Sequence, residues 1–162
     1  CAEYMRKHPT VIGGPGKIVE IDEAKFGKRK YNRGRYRDGR WVIGGIERGT
    51  KKMFMEVVAA RDAATLLPLI QRNIAAGSTV QTDEWAAYRQ LPTLGYIHQT
   101  VNHSTNFVDP ASGAYTQTIE SSWAHVKSKY KRMHGTSKEL FPTYLVEYMW
   151  RKEKTHSVCH VY

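Results

Sequence analysis

The sequence lacks the features that mark several classes of protein. Its 162 residues include only two cysteines, Cys1 and Cys159, so there is no disulfide framework and a reducing compartment is favoured. No apolar run approaches the roughly 20 residues of a membrane span, and we therefore expect a soluble protein with no membrane partner. The chain opens with neither an initiator methionine nor the apolar core of a signal peptide. This suggests a piece of a longer protein whose upstream part is missing.

The chain also offers little support for a zinc site. His156, Cys159 and His160 lie close together, but zinc sites of this kind usually include a second close pair of ligands. We interpret these three residues as part of a frayed basic tail, residues 155–162. Internal repeats and low-complexity segments are absent as well.

Acidic residues are scarce relative to basic ones, since 15 Asp and Glu against 25 Lys and Arg give a formal net charge of +10. Eight basic residues lie in KFGKRKYNRGRYRDGR, from Lys25 to Arg40, which we call the basic run. Arginines among aromatics and glycines can wrap a phosphate backbone and stack on bases, so we predict contacts to nucleic acid. The predicted contacts are Lys28, Arg29, Lys30, Arg33 and Arg35. A solvated, charged hairpin is the competing interpretation, and charge alone does not choose among DNA, RNA and an acidic protein.

Hydrophobic periodicity predicts the order of the secondary-structure elements. Apolar patterning predicts strands at residues 17–23, 40–47, 52–59, 78–83 and 96–101. Helical spacing predicts helices at residues 64–75, 84–91, 116–132 and 141–154, the first of them with Asp62 as its N-cap. Three antiparallel strands followed by alternating helices and strands predict an α/β domain with a mixed five-stranded sheet flanked by helices. This order is compatible with the ribonuclease H-like fold. We place the domain at residues 17–154, after a lead-in at residues 1–16.

Two predicted strands end in the same pair of acidic residues. Asp22 and Glu23 end VEIDE, and Asp83 and Glu84 follow in TDEW. Because successive side chains of a strand point to opposite faces, one acid of each pair can reach a shared site. An acid at the end of an apolar strand costs desolvation unless a cation or hydrogen-bond donors meet it, so these positions are candidate metal ligands. For each pair taken alone, a solvated strand end explains the sequence equally well.

A third acid lies near the start of the predicted helix TQTIESSWAHVKSKYKR. Glu120 and Lys127, seven residues apart, share one line on the flank of an apolar stripe and are separated by about 10 Å along the axis. An accidental pair on a surface helix is the alternative interpretation. With one acid from each strand, Glu120 would complete a set of three carboxylates that could hold two Mg²⁺ ions about 3.5–4 Å apart for phosphodiester cleavage. The apolar stripe consists of Ile119, Trp123, Val126 and Tyr130.

Histidine and tryptophan provide two further predictions. His103, in VNHS, could contact a phosphate or act near the metals, and a hydrogen-bonded structural histidine beside a strand end is the competing interpretation. The four tryptophans stand in apolar periodic settings, which predicts that all of them belong to the core. They are Trp41, Trp85, Trp123 and Trp150.

Six segments of the sequence resemble those of one protein family. VEIDE, GRWVIGGIERGT, TDEWAAY, GYIHQTVNHS, FVDP and TIESSWAHVK are similar to the Asp-Asp-Glu catalytic domain of Merlin-superfamily transposases and their bacterial insertion-sequence relatives. The resemblance extends from about Ile12 to Trp150 and covers nearly the whole chain. It departs from the family pattern at Tyr115 and Gln117, where His and Asn are expected, and at Thr82, where Ser is commoner. These departures concern local substrate contacts and leave the acids in place.

The resemblance implies a ribonuclease H-like core that cuts and joins DNA at transposon ends with Mg²⁺ or Mn²⁺. Carried over by motif, the catalytic and metal-binding triad is Asp22, Asp83 and Glu120, and Lys127 is the basic residue that approaches the DNA end. The implied reaction is cut-and-paste transposition, with double-stranded transposon ends and target DNA as partners and a homo-oligomer in the DNA complex.

Two rival functions remain compatible with the same residues. One is a domesticated, non-catalytic DNA-binding module that keeps the fold, and the other is a structure-specific nuclease without strand transfer. The implied location is the nucleus in a eukaryote, which we favour, or the cytoplasm or nucleoid in a bacterium.

Overall fold

The structure, a computed structural model, describes residues 11–27, 39–101, 113–133 and 136–158. Its strands are β1 Ile12–Gly13, β2 Ile18–Phe26, β3 Arg40–Glu47, β4 Met53–Val58, β5 Ile74–Ala75, β6 Thr79–Asp83 and β7 Ile97–Val101. Its α-helices are α1 Ala63–Asn73, α2 Gln117–Arg132 and α3 Phe141–Val158. Within these ranges no helix has the length and apolar character needed to cross a membrane.

Five strands form one mixed sheet in the order β4-β3-β2-β6-β7. The pairs β2-β3 and β3-β4 are antiparallel, whereas β6 runs parallel to both β2 and β7. This confirms the predicted α/β fold, with three antiparallel strands first. A separate two-stranded parallel sheet joins β1 to β5, and it pairs Ile12, from the expected lead-in, with Ile74. Because β2 and β6 are parallel neighbours, their carboxyl ends lie at the same end of the sheet.

Helices cover both faces of the sheet. Val19 and Ile21 of β2 lie in one apolar cluster with Leu66 of α1. Phe26 of β2 lies in a second cluster with Trp123 of α2, to which α3 also contributes. Successive residues of a strand alternate between the faces, so odd-numbered residues at the start of β2 face α1 and even-numbered residues of β2 face α2 and α3.

The chain after β6 differs from the sequence prediction. Residues 84–91 are predicted to form one α-helix. The structure instead has two short 3-10 helices in this part of the chain, Ala86–Tyr88 and Leu91–Leu94. The backbone N–H of Trp85 donates to Oδ1 of Asp83 at 3.0 Å, and this turn takes the chain out of α-helical geometry. Pro92 removes a backbone donor that a continued α-helix would use.

The ends of the helices are set by capping residues and by strand pairing. Asp62 is the N-cap of α1, as predicted, and its carboxylate accepts a hydrogen bond from the Thr65 N–H at 2.7 Å. The helix ends at Asn73 because Ile74 adopts extended backbone angles, φ −126° and ψ 126°, and pairs with β1. The third helix continues to Val158, beyond its predicted end and into the segment interpreted as a tail.

Gly44 of β3 allows α2 to lie close to the sheet. A Cβ atom at position 44 would lie 2.6 Å from Cζ2 of Trp123 and 3.3 Å from Cδ1 of Ile119. Gly44 is the antiparallel partner of Asp22. Because directly opposed residues of two paired strands present their side chains on the same face, Asp22 faces α2.

We expect Gly44→Ala to lower the free energy of unfolding by about 1–3 kcal/mol, because the added methyl group overpacks against Trp123. Chemical denaturation of the parent and the variant measures this loss. Trp123→Phe removes the ring atoms that the methyl group would contact, so Gly44→Ala should cost less in that background. Equal losses in the two backgrounds would contradict the close packing of α2 on Gly44.

Candidate active site

Asp22 and Asp83 lie on two adjacent parallel strands. Asp83 is the last residue of β6, whereas Asp22 is the fifth of the nine residues of β2, which continues to Phe26, so the prediction that this strand ends in its acids is wrong. The last paired residues of β2 and β6 are Glu20 and Gln81. Asp22 and Asp83 each follow two residues later on the same strands. Residues two apart on a strand share a face, so both aspartates belong to the α2 side of the sheet. Both are half-buried, and Oδ1 of Asp22 accepts a hydrogen bond from the Glu23 N–H at 2.8 Å.

Glu120 lies in the first turn of α2, on the helix that covers this face. Trp123, one turn further along, packs over Gly44, which is the strand partner of Asp22. Glu120 itself is exposed, and its Oε1 accepts a hydrogen bond from Oγ1 of Thr116 at 3.1 Å. The helix therefore carries the third acid on the side of the sheet to which the two aspartates belong.

The three acids share one side of the sheet without forming a closed metal cluster. Among the residues that the structure describes, no group of three or more His, Cys, Asp or Glu side chains is arranged to hold a metal ion. The donor chemistry fits a hard divalent cation, because all three side chains offer carboxylate oxygens. The structure thus places Asp22, Asp83 and Glu120 on one side and leaves their convergence on a metal as a prediction.

Glu23 points to the face opposite Asp22. Its carboxylate is buried and accepts hydrogen bonds from Nε and Nη2 of Arg61 at 3.1 and 2.8 Å. Burial raises the pKa of Glu23 to about 7; Arg61 opposes this rise, and the charges of Asp83 and Asp22 reinforce it. Each of the two acids that end VEIDE therefore belongs to a different face of the sheet.

Arg61 lies between two tryptophan rings beside this ion pair. Its guanidinium carbon is 4.3 Å from the ring centroid of Trp41 and 4.6 Å from that of Trp85. Nε1 of Trp85 donates to the carbonyl oxygen of Arg61 at 2.9 Å. Trp85 is 43% exposed, so the prediction that every tryptophan belongs to the core is wrong for this residue. The Trp85 ring is stabilised by the Arg61 cation on one face and by the hydrogen bond of its indole N–H, rather than by burial in the core.

Lys127 is exposed on α2, and its Nζ lies 5.7 Å from the ring centroid of Phe26. Phe26 is the last residue of β2, the strand that carries Asp22. The ammonium group therefore lies near the carboxyl end of β2, four residues along the strand from Asp22.

Other predicted site residues lie outside the described part of the chain. They are Lys28, Arg29, Lys30, Arg33, Arg35 and His103. The ends of the basic run are described, since Phe26 pairs with Arg40 at the last position of the β2-β3 ladder. The run consequently leaves the sheet at the carboxyl end of β2, four residues after Asp22.

Two polar residues that the sequence analysis did not single out also contact this face. Glu20 accepts hydrogen bonds from backbone N–H groups at the start of α2, and Arg48 donates to Glu20. The period-two spacing from Asp22 was a usable signal for Glu20. Arg48 directly follows the predicted strand 40–47, in a connection where a basic side chain is normally solvated, so its local sequence carried no such signal.

Solved structures of retroviral integrases share the fold. The HTLV-2 integrase catalytic core, solved with magnesium in a dimeric form, gives a TM-score of 0.52 at 11% identity over 84% of each chain. The BIV integrase catalytic core gives a TM-score of 0.50 at 15% identity over 80% of each chain. A chain of the simian T-cell lymphotropic virus intasome gives a TM-score of 0.53 at 14% identity, over 86% of this chain and 50% of that one. This protein thus spans half the length of the intasome chain, and its fold is ribonuclease H-like, as predicted.

The sequence places the chain within a family of transposases. A transposase-like protein of Haemophilus influenzae is 35% identical over 100 residues, which cover 62% of this chain and 80% of that protein. The chain belongs to the family of ISXO2-like transposase domains, whose model matches residues 13–153. The resemblance to an Asp-Asp-Glu transposase is confirmed at the level of this family, whereas the Merlin superfamily is a finer assignment than the match itself makes.

Proposed function

We propose that the protein is a cut-and-paste DNA transposase of the Merlin superfamily. It cleaves DNA at transposon ends and joins the freed 3′-hydroxyl end to target DNA. The observation that carries this proposal is the position of Asp22 and Asp83 on adjacent parallel strands, on the face covered by the helix that bears Glu120. Membership of a transposase family supports the same class of reaction.

The proposed cofactor is Mg²⁺ or Mn²⁺, as two ions held by Asp22, Asp83 and Glu120. Carboxylate oxygens are the ligands that these hard cations prefer, and the HTLV-2 integrase core was solved with magnesium. Bound divalent cations would supply Lewis-acid stabilisation of charge on the scissile phosphate and on the leaving oxygen.

The protein's own residues hold and orient the DNA. Phosphoryl transfer depends mainly on positioning and electrostatic stabilisation, so carboxylates fixed to a sheet and a packed helix suit the reaction. Lys127 and the basic run bind the phosphate backbone beside the acids. Strand cleavage and strand transfer then use one site, with water as the first nucleophile and the 3′-hydroxyl as the second.

The proposed partners are double-stranded transposon ends, target DNA and further copies of this chain. The basic composition supports a polyanionic partner, and the intasome and dimeric integrase structures support an oligomer in the DNA complex. Because the substrate is chromosomal DNA, the proposed location is the nucleus of a eukaryote or the cytoplasm or nucleoid of a bacterium.

The test is nicking of a labelled duplex carrying the terminal repeat that borders the gene, by the full-length protein in Mg²⁺, Mn²⁺ or EDTA. We expect metal-dependent nicking, followed by joining of a pre-cut end to plasmid DNA. Tight end binding without nicking in either metal would favour the domesticated module instead. Nicking without joining would favour the structure-specific nuclease.

Lys127→Ala is expected to weaken binding of the end duplex about tenfold at moderate salt, because one phosphate is no longer neutralised. The free energy of unfolding should change by less than about 1 kcal/mol, the usual size of an exposed cation–π contact. Fluorescence anisotropy and chemical denaturation measure the two effects. Exposed Lys52 provides the charge-matched control, and Lys52→Ala should bind normally. A loss of stability and of metal affinity with normal end binding would instead make Lys127 a structural partner of Glu120.

A further inference from the structure

A buried carboxylate of β2 caps the helix that carries Glu120. Glu20 is fully buried, and its Oε2 accepts hydrogen bonds from the backbone N–H groups of Thr118 at 2.9 Å and Ile119 at 3.1 Å. These are the second and third residues of α2, the positions whose N–H groups an N-cap side chain usually satisfies. The helix therefore receives its cap from a strand 98 residues away in sequence.

The helix's own N-cap residue does not make this bond. Thr116 has no side-chain capping hydrogen bond, and its Oγ1 donates to Glu120 instead. A negative charge at a helix N-terminus also complements the helix dipole, so Glu20 satisfies the first turn in hydrogen bonding and in charge.

Arg48 connects this cap to a second strand and to the approach to α2. Its Nε donates to Oε1 of Glu20 at 3.1 Å, and its Nη2 donates to Oε1 of Gln81 at 2.5 Å and to the carbonyl oxygen of Tyr115 at 3.0 Å. The guanidinium carbon also lies 3.6 Å from the ring centroid of Tyr115. The planar guanidinium group presents several donors in fixed directions, which lets one side chain join three segments.

Three residues of this network each stand two positions before a predicted catalytic acid. The three pairs are Glu20 and Asp22, Gln81 and Asp83, and Thr118 and Glu120. We propose that Glu20 and Arg48 are positioning residues that fix α2 to β2 and β6 and thereby set Glu120 against the two aspartates. This inference rests on the proposed function, because it assigns these residues a part in the same reaction.

The test compares Glu20→Gln with the parent by hydrogen exchange and by single-turnover cleavage. Gln lacks the charge that pairs with Arg48, and its amide nitrogen cannot accept a hydrogen bond. We expect backbone exchange at Thr118 and Ile119 to rise at least about tenfold, the effect of losing roughly one hydrogen bond. Cleavage should fall at least about tenfold in rate, with binding of the end duplex unchanged.

Glu47→Gln is the matched control. Glu47 is also buried, accepts a hydrogen bond from the backbone N–H of Gly13 at 2.8 Å and lies next to Arg48 in the sequence. Its bonds tie β3 to β1 and to the following turn, which carry none of the predicted acids. We expect a comparable loss of thermal stability in Glu47→Gln, with parental exchange at the start of α2 and parental cleavage.

Arg48→Lys is the second variant, for use if Glu20→Gln does not fold. Lys keeps the charge but cannot reach all three partners at once, so exchange and cleavage should change in the same directions by a smaller factor. Unchanged exchange at the start of α2 would overturn the proposal whether or not the protein cuts DNA. Faster exchange with parental cleavage would overturn it as well, as would equal loss of cleavage in Glu47→Gln. If the parent shows no metal-dependent cleavage, the proposed function fails, and the exchange measurement alone decides whether Glu20 and Arg48 hold α2.

Discussion

Replacement of Glu120 by Gln is expected to reduce metal-dependent cleavage of transposon-end DNA by at least about a thousandfold, some 4 kcal/mol of activation free energy. Gln preserves the size of the side chain, and Oγ1 of Thr116 can still donate to its amide oxygen. What it lacks is the negative charge that the proposed second cation would require. Binding of the end duplex should persist, so an anisotropy titration of the same duplex separates the chemical step from DNA binding.

The two aspartates should behave in the same way. Asp22→Asn and Asp83→Asn are each expected to lose cleavage to a similar extent, and combining them should cost little more, because residues that act as a unit are not additive. Glu84→Gln is the matched control, since Glu84 is exposed and follows Asp83 directly. If Glu120→Gln cut at the parental rate while Glu84→Gln did not, the assignment of the triad would be wrong.

Strand alternation places Glu23 on the face opposite Asp22, which suggests Glu23→Gln as a second control. It is less suitable than Glu84→Gln. The side chain does point away from Asp22, but it is buried and bonded twice to Arg61. Gln keeps the size of the side chain but weakens the two hydrogen bonds from Arg61, which is expected to destabilise the protein. Cleavage by this variant should therefore be normalised to the folded fraction, and any remaining loss reflects the site.

The five strands of the main sheet were predictable because each is a local pattern, although β2 continues three residues beyond its predicted end. Residues 40–47 of β3 match their predicted range, and the Asp62 N-cap of α1 was visible as a single polar residue before an apolar helix. The prediction failed where a longer-range or backbone effect competes with periodicity. The turn at Asp83 and the proline at position 92 break the helix predicted after β6, and pairing with β1 converts Ile74 from helix to strand.

The candidate site also contains residues that the sequence predicted and residues that it did not. Strand alternation and helix phase pointed to one acid of each strand pair and to Glu120, and the choice of Asp22 and Asp83 came from the resemblance to the transposase motifs. The contacts of Arg48 could not be predicted from local sequence patterns, because its partners are separated from it by 28, 33 and 67 positions in the sequence. The exposure of Trp85 was missed for a related reason: its partner Arg61 lies 24 residues earlier and provides a cation that no apolar pattern reveals.

The basic run provides the second large expected effect. Changing Lys28, Arg29, Lys30, Arg33 and Arg35 together to Ala should weaken binding of DNA of any sequence and flatten the slope of log affinity against log salt. The change in slope should reach up to about 0.9 for each phosphate that the variant no longer neutralises, and so up to about 4.5 for all five. The run leaves the sheet at Phe26, four residues beyond Asp22 on β2, so we expect DNA bound along it to approach the acids.

A charge-preserving variant separates general attraction from specific geometry. Arg29→Lys, Arg33→Lys and Arg35→Lys together keep every positive charge, and the salt slope should stay near the parental value. The measurement is the affinity of an end duplex and of an unrelated duplex at several salt concentrations. An unchanged slope in the five-residue Ala variant would remove the basic run from the DNA interface. Because the salt slope reports the number of phosphates that the protein neutralises, a difference in slope between the two variants is expected to follow the missing charges.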